Sequence, residues 1–154
     1  NTCDFRPVME LKSSVTDVKT VPADTPIGYS RAFVTSRKTV VATVPIGYAD
    51  GYPRSLSSKG TMLIHGKRAK VIGNVCMDQV MLDVTEIGNV KTGDTVTVYG
   101  GDQNEFYGAE NAAADAGTIS YELVCLVSKR VPRVYIKNNE IFKVSDLILS
   151  KQPL

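Results

Sequence analysis

The stretch TMLIHGKRAKVIGNV, residues 61–75, decides the fold class of this chain. Its two ends, 61–65 and 70–75, carry the alternation of apolar and polar residues that is typical of half-buried β-strands. Between them stands His65-Gly66-Lys67, and glycine adopts the positive φ of a tight turn at little cost. We therefore predict a β-hairpin here.

The same period of two recurs on both sides of this hairpin. It predicts further strands at 8–21, 39–44, 79–85, 94–99, 121–127 and 133–144, the last with a tight turn at Asn138-Asn139. One segment differs: AENAAADA, Ala109–Ala116, is rich in alanine and precedes Gly117, which predicts a short helix with a glycine C-cap. The predicted fold class is a single mainly β domain over residues 1–154, a closed or nearly closed β-barrel with one short helix.

Composition limits the classes of function. The chain has 154 residues, 43% of them hydrophobic, and a net charge of +2, which indicates one globular domain and argues against nucleic-acid binding. Cys3, Cys76 and Cys125 form no C-x-x-C pair, and the one histidine, His65, lies in a turn-like sequence, so neither a disulfide framework nor a metal site is expected and the cytoplasm is favoured. No apolar run is long enough for a membrane span, and the start at Asn1 suggests a fragment.

Four short clusters carry more chemistry than turns and strands need. They are IGYSRAF (27–33), PIGYADGYPR (45–54), GNVCMDQ (73–79) and GTISYE (117–122). An extended backbone in the first would place Tyr29, Arg31 and Phe33 on one face, where the guanidinium would favour the phenolate. Lowering a phenol pKa by about three units takes roughly 4 kcal/mol, a large demand on one exposed arginine. A plain surface strand accounts for this cluster equally well.

The other three clusters also have both a functional and a structural interpretation. Tyr48 could project from a loop into a cleft, with Asp50 bonding to its own backbone as an Asx turn. Backbone N–H groups around Met77 could receive a carboxylate, because such donors suit anions. The hydroxyl of Tyr121 could reach a phosphate, or could belong to a half-buried tyrosine with a partner of its own. Each cluster taken alone leaves these alternatives open.

In this order, however, the clusters resemble the C-terminal β-domain of the alanine racemases, a family of pyridoxal-phosphate enzymes. The matching stretches are RPVMELKS (6–13), IGYSRAF (27–33), PIGYADGYPR (45–54), GNVCMDQVMLDV (73–84), GDTVTVYG (93–100), GTISYE (117–122) and RVPRVY (130–135). The resemblance implies that a (β/α)8 barrel carrying the cofactor lysine precedes this domain. Nothing here resembles the family's K-A-N-A-Y-G-H-G lysine motif, so this domain is expected to hold half of an active site shared across a homodimer, and to be inactive alone.

The resemblance also implies roles for single residues. Racemisation of alanine needs two acid–base groups that flank the substrate, with pyridoxal phosphate as the electron sink. The residues expected to serve this reaction are Tyr29 as one acid–base group, Met77 as the backbone donor to the substrate carboxylate, Tyr48 at the inner substrate entrance, and Tyr121 as a hydrogen-bond donor to the cofactor phosphate. Asp78 and Ile119 match positions near the entry corridor. The implied enzyme is a cytoplasmic isomerase of peptidoglycan biosynthesis, without a metal, nucleic acid or membrane contact from this domain.

Three positions depart from the family pattern. Asn74 stands where an arginine is common, which removes a cation from the entrance, while Ser30 replaces a common glycine and Ser120 a common asparagine. Tyr121 is retained, which favours alanine over the alternative of an alanine/serine racemase resembling those of vancomycin resistance. Related decarboxylases of basic amino acids place a catalytic cysteine directly before aspartate, whereas here Met77 intervenes. A non-catalytic β-barrel interaction module is the third alternative.

Overall fold

The structure is a computed structural model that describes residues 7–146. Cys3 and the match to the resembling family at Arg6 lie outside the described residues. The strands are β1 (Leu11–Ser14), β2 (Asp17–Val21), β3 (Pro26–Ile27), β4 (Phe33–Val34), β5 (Thr39–Val44), β6 (Thr61–Ile64), β7 (Lys67–Ile72), β8 (Val80–Asp83), β9 (Thr95–Asp102), β10 (Glu105–Tyr107), β11 (Arg133–Lys137) and β12 (Glu140–Ser145). The helices are α1 (Ala109–Ala116) and α2 (Ser120–Leu126), with short 3-10 turns at Tyr29–Arg31 and Arg54–Leu56.

One antiparallel sheet forms the body of the domain. Its strands lie in the order β1-β9-β6-β7-β8-β5-β2, and β10 also pairs with β9. The predicted hairpin is confirmed as β6 and β7, with positive φ at His65 and Gly66 in its turn. This hairpin lies at the centre of the strand order.

The sheet curls so that its two end strands, β1 and β2, come close together without pairing. Strands β1 and β2 lie at opposite ends of the strand order, yet only Val15 and Thr16 separate them in sequence. The N–H of Val15 donates to the carbonyl of Asp94, and that of Thr16 donates to the carbonyl of Thr43, each at 2.9 Å. Within residues 7–146 no hydrogen-bonded ladder pairs β1 with β2. The mainly β prediction is confirmed, and the barrel is nearly closed.

Large apolar side chains fill the inside of this curled sheet. Tyr52, Tyr99 and Tyr107 are the largest of the fully buried side chains, and the rings of Tyr52 and Tyr99 lie 6.1 Å apart. A second, smaller cluster is formed by Ile27 of β3 with Val41 and Ile72 of the main sheet. It packs the short β3–β4 hairpin against strands β5 and β7, and so fixes the loop between β3 and β4.

The helices differ from the prediction in number. Helix α1 is confirmed, and Gly117 caps it at φ 76° with its N–H donating to the carbonyls of Ala113 and Ala114. The strand predicted at 121–127 is wrong, because this segment forms helix α2, and the single-helix prediction is therefore wrong too. Leu123 is the buried residue of α2, and the helix packs against α1. Tertiary packing on α1 thus overrides the strand preference of the valines.

The C-terminal part agrees with the prediction. Strands β11 and β12 form a hairpin, and Asn138 and Asn139 in its turn have φ of 52° and 62°. Asparagine tolerates this left-handed conformation better than most residues, which explains the turn.

Candidate active site

The four predicted site residues are exposed, in contrast to the core aromatic residues. Tyr121 is 78% exposed, Tyr29 72%, Met77 53% and Tyr48 43%, whereas Tyr52 in the same cluster as Tyr48 is fully buried. Large apolar or aromatic side chains at the surface are available to a ligand or a partner. The two tyrosines of PIGYADGYPR therefore lie in different environments, with Tyr52 in the core and Tyr48 outside it.

Tyr29 lies in the loop between β3 and β4. The extended backbone considered for this cluster is absent: Tyr29–Arg31 forms a 3-10 turn with Ser30 at φ 62° and Arg31 at φ 51°. The backbone alternation that would place Tyr29 and Arg31 on one face is therefore absent from this turn. Instead, the side-chain amide of Asn74 donates to the carbonyl of Tyr29 at 3.1 Å. This bond joins the Tyr29 loop to the segment 73–79.

Asn74 is one of the three positions that depart from the family pattern. Its contact with the Tyr29 carbonyl is the structural role that the sequence did not reveal. The loss of a cation at the substrate entrance stays a prediction.

The loops that carry Tyr48 and Met77 are joined along their backbones. The N–H of Tyr48 donates to the carbonyl of Cys76 at 3.1 Å, and that of Ala49 donates to the carbonyl of Met77 at 3.0 Å. At Gly47 the loops come so close that a Cβ would lie 2.3 Å from both carbonyl oxygens. The glycine therefore permits a backbone contact that holds Tyr48 and Met77 in a fixed relation.

The Asp50 carboxylate stabilises its own loop, but not as the Asx turn considered from the sequence, because it bonds to a residue three positions earlier in the chain. Its Oδ2 accepts the N–H of Gly47 at 2.8 Å. The other carboxylate oxygen, Oδ1, accepts Nε of Arg130 at 2.7 Å. The same guanidinium donates through Nη2 to the carboxylate of Asp78, the residue after Met77. These hydrogen bonds raise the pKa of Arg130 above its ordinary value, and the bond to Asp50 contributes more than the bond to Asp78.

The end of helix α2 rests on the Tyr48 loop. The N–H of Ser128 donates to the carbonyl of Asp50 at 2.9 Å. Gly51, at φ 103°, lies so close to the helix that a Cβ would be 2.2 Å from the carbonyl of Leu126. The Arg133 guanidinium holds the following turn by donating to the carbonyls of Val127, Ser128 and Val131. The helix that begins next to Tyr121 is thus anchored to the same loop.

Three of the four sequence clusters are therefore joined in space by a continuous set of contacts, which extends to the segment after α2. Asn74 joins the Tyr29 loop to the Met77 loop, the backbone bonds at Tyr48 join the Met77 loop to the Tyr48 loop, and Asp50 joins the Tyr48 loop to the segment after α2. Arg130 was not among the predicted site residues. Its partners lie 80 and 52 residues away in sequence, so spacing alone carried no signal for the pairing.

The described residues contain neither a candidate metal site nor a membrane-spanning helix. Between residues 7 and 146, no three His, Cys, Asp or Glu side chains are grouped so that they could hold a metal ion. No helix in that same part of the chain has the length and apolar character to cross a membrane. The side chain of His65 pairs with Asp94 at 3.0 Å.

Comparisons with family models, curated proteins and solved structures all match the chain to the same family. The model of the family "Alanine racemase, C-terminal domain" matches residues 8–135. The alanine racemase of Clostridium kluyveri is 45% identical over 150 residues, which is 97% of this chain. The solved structure of alanine racemase from Bacillus anthracis with bound L-Ala-P has a TM-score of 0.88, 35% identity and covers 93% of this chain. That from Bartonella henselae, with covalently bound pyridoxal phosphate, has a TM-score of 0.77, 34% identity and covers 82%.

All three relatives are longer than this chain. The chain spans 38% of the Clostridium kluyveri protein, 36% of the Bacillus anthracis structure and 34% of the Bartonella henselae structure. The similarity therefore concerns about a third of each relative.

Proposed function

The chain belongs to the alanine racemase C-terminal domain family, and we propose that it serves an enzyme that interconverts L- and D-alanine. The observation that carries this proposal is the junction of three exposed site segments, those of Tyr29, Tyr48 and Met77, in which backbone bonds at Tyr48 and Ala49 fix the loop of Met77. Similarity to alanine racemases over 97% of the chain supports the same reaction. The chain would contribute one part of the active site and the remainder of the enzyme the other.

The reaction requires two groups that exchange protons with opposite faces of the substrate Cα. We assign one of them to the phenol of Tyr29, which is exposed and whose loop is held by Ile27 in the small apolar cluster and by Asn74 at its carbonyl. As phenolate, its oxygen takes the Cα proton from one face, and as phenol it returns a proton to that face in the reverse direction. The second group belongs to a part of the enzyme outside this chain.

The carboxylate of alanine needs a donor that does not move during the reaction. The backbone N–H of Met77 suits this role, because its loop is joined to the Tyr48 loop by two main-chain bonds and flanked by the Asp78–Arg130 pair. Tyr48, which is 43% exposed on the neighbouring loop, would line the substrate entrance. Both assignments place substrate contacts on backbone that is already fixed.

Pyridoxal phosphate, when bound, supplies the electron sink that stabilises the carbanion at Cα. The fit of this chain to that cofactor is limited to one contact. Tyr121, at the start of α2, presents an exposed hydroxyl that can donate to a phosphate oxygen. We propose that Tyr121 makes this contact and that the rest of the cofactor is held by the preceding domain, in a cytoplasmic homodimer.

Replacing Tyr29 tests the assignment in a full-length racemase that carries this chain. Tyr29→Phe removes the phenolic oxygen, so we expect racemisation to fall by at least about 100-fold, the lower end for a general acid–base group. Exchange of the Cα proton with deuterated solvent should stop from one alanine enantiomer and persist from the other. Cofactor content, read from its absorbance, should stay unchanged.

Tyr135→Phe is the control for loss of an exposed phenol, since Tyr135 is also solvent-exposed but lies on β11, outside the joined loops. It should leave the rate unchanged. Loss of proton exchange from both enantiomers together with loss of cofactor would show that Tyr29 has a structural role instead.

The chain alone should neither racemise alanine nor develop a Schiff-base absorbance band with pyridoxal phosphate, because no stretch of it resembles the family's cofactor-lysine motif. Racemase activity of the chain by itself would contradict the shared active site.

A further inference from the structure

We propose that Arg130 is a positioning residue that sets the relation between the Tyr48 loop (45–54) and the Met77 loop (73–79). The inference rests on the proposed function of these loops in substrate binding. Its basis is that the guanidinium of Arg130 donates to two carboxylates, one in each loop: Asp50 at 2.7 Å and Asp78.

Asp50 makes most of the contacts that join the Tyr48 loop to the segment of Arg130. Its side chain is only 13% exposed, and both of its carboxylate oxygens are engaged, Oδ1 by Arg130 and Oδ2 by the N–H of Gly47. Its carbonyl accepts the N–H of Ser128, two residues before Arg130. The side chain and the backbone of Asp50 are therefore both tied to the segment that carries Arg130.

The environment of Asp78 differs from that of Asp50. The Asp78 side chain is 60% exposed, and Arg130 is its ion-pair partner. It follows Met77 directly, so the position of its side chain constrains the peptide that precedes it. A guanidinium presents its donors in a rigid planar fork, and can hold two carboxylates at a set distance in a way that a single ammonium cannot. Without Arg130 the two carboxylates would repel each other across the junction of the loops.

The expected defect is in substrate binding. Arg130→Ala should raise the KM for alanine about tenfold, equivalent to about 1.4 kcal/mol of binding free energy. Turnover should change much less, because a displaced Met77 N–H weakens binding of ground state and transition state alike. Arg130→Lys should show a smaller rise in KM, since one ammonium satisfies one carboxylate well and the other poorly.

A double-mutant cycle separates the interaction between Arg130 and Asp78 from the effect of changing the net charge of the chain. Asp78→Asn should raise KM in the wild type, but in the Arg130→Ala background it should add nothing or partly reverse the rise, because the interaction is already absent and the repulsion from Asp50 is removed. Additive effects of the two substitutions would contradict a shared role.

The chain offers a matched control in Arg37. This arginine is also half-exposed and also bridges two carboxylates, those of Asp83 at 3.5 Å and Glu86 at 3.0 Å, but neither belongs to the two loops. Arg37→Ala should leave KM unchanged. An equal rise in KM for Arg37→Ala and Arg130→Ala, or no rise for either, would overturn the proposal.

A readout that needs no activity keeps this inference separate from the proposed function. In ¹H–¹⁵N spectra of the chain, Arg130→Ala should shift the amide resonances of Tyr48, Ala49 and Met77, and Arg37→Ala should not. An inactive full-length wild type would overturn the racemase proposal alone. Unchanged amide resonances in Arg130→Ala would overturn the positioning role, whatever the activity.

Discussion

At the scale of single residues, the backbone beside Tyr29 is the least favourable part of the site. Ser30 has φ 62° and ψ 15°, and Arg31 has φ 51°. A residue with a Cβ adopts this left-handed conformation at a cost of about 1–2 kcal/mol. The turn changes the direction of the chain within three residues, and so removes Tyr29 from the strand on which an alternating pattern would place it.

This strain leads to a prediction for the stability of the chain. Ser30→Gly should raise the free energy of unfolding by about 0.5–1 kcal/mol, because glycine loses the steric cost but adds entropy to the unfolded state. The midpoint of urea unfolding measures the change. Ser120→Gly is the control of opposite sign, since Ser120 begins helix α2, where glycine destabilises. A lower midpoint for Ser30→Gly would contradict the strain argument.

At this scale the sequence predicts features that depend on neighbouring residues, but not contacts between residues far apart in the chain. The exposed tyrosines were found because each stands in a short local cluster. The bonds of Arg130 to Asp50 and Asp78 could not be found, since they join residues 80 and 52 positions apart and the quoted stretches do not indicate which residues pair. The buried position of Tyr52, four residues from Tyr48, could not be told from composition either.

At the scale of elements, turns were the most reliable features. The β6–β7 and β11–β12 hairpins were predicted from Gly66 and from Asn138-Asn139, whose positive φ is a local property. Helix α1 was predicted from its alanines and its glycine cap. Helix α2 was not, because its helical state depends on packing Leu123 against α1 and the core, which no local pattern reports.

The contact between the Tyr48 and Met77 loops gives a prediction for Gly47. In Gly47→Ala the new Cβ would lie 2.3 Å from the carbonyl oxygens of Cys76 and Met77, and backbone atoms cannot rotate away as a side-chain end can. The loops must separate, so we expect a loss of about 3 kcal/mol in the free energy of unfolding, at the upper end for overpacking.

Urea unfolding of Gly101→Ala provides the comparison. Gly101 lies in strand β9, where the nearest atom to a new Cβ is 3.8 Å away, an ordinary contact. This variant should be neutral or slightly more stable, because alanine is favoured over glycine within a strand. Equal stability of the two variants would show that the loops tolerate the added methyl group.

At the scale of the whole molecule, the curled sheet encloses three phenols. Burial raises the pKa of Tyr52, Tyr99 and Tyr107 well above that of a free tyrosine, and a hydrogen bond of 2.6 Å to the Asp115 carboxylate raises that of Tyr107 further. The hydroxyls of Tyr52 and Tyr99 are buried without a hydrogen-bond partner among the described residues. The inside of the curled sheet thus holds ionisable groups where charge is disfavoured.

The stability of the chain should therefore fall in alkaline solution. Each buried phenol keeps its proton in the folded state, while the unfolded state releases it near pH 10. The free energy of unfolding is then unaffected by these groups below about pH 10, and above it decreases by about 1.4 kcal/mol per pH unit for each group. Urea unfolding followed by circular dichroism at pH 8, 10 and 11 measures this slope.

Tyr99→Phe identifies the source of the slope. The variant keeps the ring and removes the ionisable oxygen, so its stability should decrease less steeply above pH 10 than that of the wild type. At pH 8 it should be at least as stable, because the lost hydroxyl has no partner among the described residues. An unchanged slope would assign the alkaline transition to other groups.

The pair of rings in the core has an optical consequence. The chain contains seven tyrosines and no tryptophan, so tyrosines alone supply its near-ultraviolet fluorescence. With the rings of Tyr52 and Tyr99 only 6.1 Å apart and inside the sheet, their emission depends on the integrity of the core. The chain thus contains its own fluorescent reporter, and its folding can be followed in dilute solution without any attached dye.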